Sequence, residues 1–105
     1  MKILSFDTSN NLASVAIMDN DELLAYNTTE TSSQQAEKLF FLIEECLSLS
    51  KLKLSDIDLI SVTNGPGSFT GVRIGLAAAL GLKMGSKTQV ISLSNFQVLA
   101  YHALK

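Results

Sequence analysis

Two groups of residues in this 105-residue chain could do chemistry. One is Asp7-Thr8-Ser9 near the start. The other is Asn64-Gly65-Pro66-Gly67-Ser68-Phe69-Thr70-Gly71-Val72-Arg73-Ile74-Gly75. The second follows an apolar run, Leu59 to Thr63, and leads into a helical pattern through Leu80. Pro66 lacks an N–H and fixes φ, and the flanking glycines permit backbone angles closed to other residues, so the strand must stop there. Ser68 or Thr70 then offers a hydroxyl as helix N-cap. A strand, a tight turn and a helix N-terminus gather free N–H groups and partial positive charge at one point, where Gly65, Gly67 and Ser68 could hold an anion. The alternative is a turn that only redirects the chain. The spacing fits neither G-x-x-x-x-G-K-[ST] nor G-x-G-x-x-G, which excludes a P-loop or a Rossmann fingerprint.

Asp7, Thr8 and Ser9 supply a carboxylate and two hydroxyls that could face a phosphate. No second inward carboxylate accompanies Asp7, which favours capping of the Thr8-Ser9 turn over metal-assisted acid catalysis. Ser68 has no histidine base beside it, and the single histidine, His102, lies at the end of the chain, so no catalytic residue is assigned. The single cysteine, Cys46, excludes an internal disulfide and a multi-cysteine metal site. Flanked by Leu42, Ile43 and Leu47, it reads as a small buried thiol. No cofactor and no metal is expected.

These residues need a folded frame, and the composition supplies one. Hydrophobic residues make up 47% and charged residues 17%, which suits one globular domain and argues against disorder. A net charge of −2 gives no basic footprint for direct nucleic-acid binding. No apolar run is long enough for a signal-peptide core or a membrane span, so the expected location is cytoplasmic.

Strands are expected at Lys2 to Asp7 (buried on both faces), Leu12 to Met18, Glu22 to Thr28 (nearer an edge), Leu59 to Thr63 and Thr88 to Leu93. Asp19-Asn20-Asp21 supplies hairpin chemistry. A first helix, capped by Ser32 or Ser33, carries Leu39, Phe40, Leu42, Ile43, Cys46, Leu47 and Leu49 at helical spacing. One helical turn is expected at Ser55-Asp56, a second helix follows the glycine junction, and a third starts at Ser94 or Asn95. The order βββαβαβα builds an α/β domain, a mixed five-stranded sheet with helices on its faces.

The adjacent Phe40 and Phe41 must diverge around their helix and cannot both enter one core. In the second helix, Gly71, Gly75, Ala78 or Ala79, and Leu82 fall at three- and four-residue intervals. A glycine inside a helix costs about 1 kcal/mol against alanine, so Gly75 and Gly81 imply close approach of another backbone. That backbone is either the sheet beneath or a neighbouring helix, which could belong to another chain. On the second reading Phe40, Phe41, Gly71, Val72, Arg73, Gly75, Ala78, Ala79 and Leu82 form a helical seam for a partner or a second copy. Arg73 could clasp a phosphate or a partner's carboxylate, or stay solvated.

The element order is similar to the ribonuclease H-like core of actin-like ATPases and sugar kinases. More narrowly, Phe6-Asp7-Thr8-Ser9, Gln35-Ala36-Glu37-Lys38-Leu39 and the Gly65 to Gly75 block resemble the TsaB (YeaZ) family of glycoprotease-like proteins, in the family's order and spacing. The resemblance covers the whole chain but only the N-terminal lobe of that family, whose second lobe of similar fold is missing from residues 1–105. It implies a noncatalytic subunit that pairs with a TsaD-type transferase, joined by a TsaE-type ATPase, in threonylcarbamoylation of adenosine 37 in tRNA. In isolation the helical seam of the first two helices is expected to form a homodimer. TsaD relatives bind metal through a histidine pair in the first helix. Here Gln34-Gln35-Ala36-Glu37 holds no histidine, and amides are poor substitutes for imidazole. The alternative from another functional class is a nucleotide- or phosphate-binding enzyme of the same superfamily, using Asp7 and the Gly65 to Ser68 turn.

Overall fold

The computed structural model describes residues 1–8, 12–30, 35–63, 69–84 and 88–93. β1 (Lys2–Asp7), β2 (Leu12–Asp19) and β3 (Glu22–Glu30) form an antiparallel meander. α1 (Gln35–Ser50) crosses to β4 (Leu59–Thr63), and α2 (Phe69–Met84) crosses to β5 (Gln89–Leu93). β4 and β5 run parallel to β1, giving one mixed sheet in the order β3-β2-β1-β4-β5. The expected third helix, with His102, lies outside the described residues.

Local chemistry explains the joints. Asn20 turns the β2–β3 hairpin with φ of 55°, an angle asparagine tolerates better than most residues. Its backbone N–H donates to the Met1 carbonyl, and its Oδ1 accepts from the terminal amine at 2.8 Å. α1 ends in a Schellman motif: Leu52 N–H reaches the Leu47 carbonyl and Lys51 N–H that of Ser48, with Lys51 at φ 59°. A single 3-10 turn at Leu54–Asp56 follows, its Asp56 carboxylate accepting from Lys53 N–H at 2.8 Å. Asp58 then ties the entry of β4 to the start of β1, exchanging backbone and side-chain bonds with Lys2.

Both helices pack on the same face of the sheet, α1 over β2 and β3, α2 over β4, β5 and β1, and they touch each other. Alternate strand residues feed the core beneath them: Leu4 and Phe6, Ala13, Val15 and Ile17, Ile60 and Val62. The helices answer with Leu39, Leu42, Ile43, Cys46, Ala78 and Ala79. β1 is not buried on both faces, as its apolar start suggested. Ser5 and Asp7 are half-buried on the second face, because no described helix covers it.

Candidate functional site

Asp7 closes β1, opposite Ser14 on β2, and is half-buried. It lines a cleft of about 150 Å³ on the second face of the sheet, with Ser5, Ser14, Tyr26, Ser61 and Thr63. Phe6, Val15 and Ala16 complete its lining, so the cleft sets one carboxylate and several hydroxyls, groups able to hydrogen-bond a ligand, in a largely apolar wall. Among the described residues no three of histidine, cysteine, aspartate or glutamate come together as metal ligands.

Thr8 does not share that cleft. It is fully buried, and its Oγ1 would lie 2.9 Å from a Cβ placed on Gly75 of α2. The threonine expected to face a phosphate therefore packs beneath α2. Of the other residues expected at the anion site, Ser9, Gly65, Gly67 and Ser68 lie outside the described residues. What is visible is their frame: β1 and β4 are parallel neighbours, Phe6 opposite Val62, so the strands they follow end side by side.

The expected helical seam divides in two. Gly75, Ala78 and Ala79 are buried, and Gly75 sits where a methyl group would meet Thr8 and Val62 of the chain's own sheet. This corrects the outward ridge: the close approach belongs to the sheet beneath, the other of the two readings. Leu82 is partly buried against the same core. Gly71 and Val72 lie within α2, their surroundings outside the description. A Cβ added at Gly81 would meet nothing within 4 Å, and the residue is exposed, so no packing need explains it.

Phe40 and Phe41, by contrast, are 42% and 63% exposed on α1, with Leu49 at 63%. On α2, Arg73, Ala77 and Leu80 face outward, Leu80 at 59%. Two helices in contact thus present large apolar side chains to solvent, where burial against a partner would gain about 1.5–3 kcal/mol for each side chain fully covered. Leu80 was not singled out by its sequence, although its offset from the buried Ala78-Ala79 pair marks the outer side of the helix.

Cys46 is wholly buried, its Sγ 3.8 Å from the Val15 carbonyl. Burial, reinforced by the charge of neighbouring Glu45, raises its pKa above the usual thiol value, which suits an inert thiol. No helix among the described residues is long and apolar enough to cross a membrane.

The family model of TsaD, tRNA N6-adenosine threonylcarbamoyltransferase, matches residues 27–105. The tRNA threonylcarbamoyladenosine biosynthesis protein TsaB of Escherichia coli (strain K12) is 33% identical over 103 residues, covering 98% of this chain and 44% of its own length. The structure of YeaZ from Pseudomonas aeruginosa superposes with a TM-score of 0.87 at 29% identity, over 97% of this chain and 47% of that one. A protein with actin-like ATPase fold and unknown function from Bacteroides thetaiotaomicron gives a TM-score of 0.56 at 14% identity, a likeness of fold alone. The chain spans about half the length of the curated relatives it matches.

Proposed function

This chain belongs to the TsaD family of tRNA N6-adenosine threonylcarbamoyltransferases, among its TsaB (YeaZ) members, and from that premise we propose that it is a noncatalytic docking subunit. Its partner is a TsaD-type transferase, with a TsaE-type ATPase joining the assembly, and the product is threonylcarbamoylated adenosine 37 of tRNA in the cytoplasm. In isolation the same surface pairs with a second copy. The observation that supports the reading is the exposure of Phe40 and Phe41 on α1 and of Leu80 on α2, two helices that touch each other. Aromatic side chains of this kind dominate interface energetics. A net charge of −2 leaves tRNA contact to the partner.

The enzyme reading rests on Asp7 in its hydroxyl-lined cleft and on the parallel ends of β1 and β4. The burial of Thr8 weighs against that reading. Calorimetric titration of the chain with a TsaD-type transferase, and separately with ATP and ADP plus magnesium, distinguishes the two. Heat with the transferase and none with nucleotide supports the docking role. Tight nucleotide binding by this chain alone, with no transferase affinity, contradicts it.

A further inference from the structure

β3 is the outer strand on one side of the sheet. In an antiparallel ladder, alternate residues send N–H and C=O toward the neighbouring strand and away from it. Thr28 N–H is bonded to Asn27 Oδ1 at 2.8 Å and not to β2, and the hydroxyls of the Ser14–Thr28 pair lie 3.0 Å apart, which suits the closer, non-hydrogen-bonded kind of pair. Thr28 is therefore an outward residue, and Tyr26 and Glu30 share its direction. Such a row is a template on which another chain can add a strand.

Side chains of this molecule occupy part of that row. Asn27 accepts from Thr28 N–H and is itself held by α1, its Nδ2 donating to Glu45 Oε1 at 2.6 Å. Lys38 Nζ, about two helical turns before Glu45, donates to the outward carbonyl of Glu30 at 3.1 Å. Exposed Phe41 stands with Asn27, Thr28 and Thr29 along a groove of about 340 Å³ between α1 and the strand. An asparagine bonding its own neighbour is a common local event. Two ties from one helix, one through Asn27 to the Thr28 N–H and one directly to the Glu30 carbonyl, are not local.

We propose that Asn27, Glu45 and Lys38 close the β3 edge, denying it to an incoming strand so that the chain does not self-associate through β3. The test uses the full 105-residue chain carrying Asn27→Ala and Lys38→Ala together. Light scattering after size exclusion reads association, and hydrogen exchange of β3 amides locates it. The double variant should gain roughly tenfold or more in self-association, two hydrogen-bonding groups having been freed, with slowed exchange at Tyr26, Thr28 and Glu30. Glu45→Gln keeps an acceptor for Asn27 and should match the parent, while Glu45→Ala should move partway to the double variant. A double variant that melts like the parent, with the same association and exchange pattern, overturns the proposal. Should the double variant not fold, Lys38→Ala alone reads the same contrast, and unchanged association and exchange there overturn it equally.

Discussion

Gly75 and Gly81 share one helix and differ in what surrounds them. A Cβ at Gly75 would lie 2.9 Å from Thr8 Oγ1 and 3.2 Å from Val62 Cγ2, inside a packed core. Overpacking of this kind costs roughly 1–3 kcal/mol, against which the better helix propensity of alanine returns about 1 kcal/mol. Gly75→Ala should therefore lower the melting temperature by several degrees. Gly81→Ala meets nothing and should raise it, by up to ~4–8 °C for a full 1 kcal/mol. Thermal melts of both variants check the pair, and equal shifts would contradict the assigned packing. The sequence marked both glycines as costly but could not say which was needed, because a missing side chain signals close approach without naming what approaches. Cys46 carries the pH dependence. Its raised pKa means that the unfolded state loses its thiol proton first, so the thiol's contribution to stability is intact below the ordinary thiol range, about 8.5, and is lost as pH rises through the folded value. Denaturant melts from pH 7 to 10 should show stability falling at the alkaline end by less in Cys46→Ala, after allowance for the cavity, than in the parent. Native Cys46 should also resist a thiol reagent that labels the unfolded chain at once.

At the scale of elements, α1 ends on a non-glycine residue in left-handed conformation, Lys51 at φ 59°. Glycine suits that position, and Lys51→Gly should stabilise the chain by about 0.5–1 kcal/mol, seen as a rise in denaturant midpoint with unchanged slope. No midpoint change would mean that Leu47 and Leu52 packing sets the termination. The five strands were legible because each is a short apolar or alternating run bounded by Asn, Asp, Gly or Ser. The extension of β3 to Glu30 was not, since Thr28-Thr29-Glu30 carries little apolar pattern and is held by strand pairing and the Lys38 contact. The half-open second face of β1 was also illegible: Ile3 and Phe6 look equally apolar in sequence, and only the placement of both helices on one side distinguishes them. Of the candidate site, Asp7 was found in the hydroxyl-lined position its neighbours allow, whereas Thr8 went into the core because Gly75 leaves room for it.

The described residues form a helical side and a sheet side, with unequal demands on solvent. The helical side exposes Phe40, Phe41, Leu49 and Leu80 in a chain of net charge −2. The β3 edge, by contrast, is tied to α1. Association should therefore run through the helices and not through the strands. The most direct test of that account is the dissociation constant for a TsaD-type transferase, measured for the parent chain and for Phe41→Glu, with circular dichroism confirming that both fold. Loss of one aromatic anchor worth ~2 kcal/mol predicts at least a roughly thirtyfold weaker complex, with the melting temperature unchanged because Phe41 is mostly exposed in the free chain. A Phe41→Glu chain that folds and binds the transferase as tightly as the parent would contradict the account.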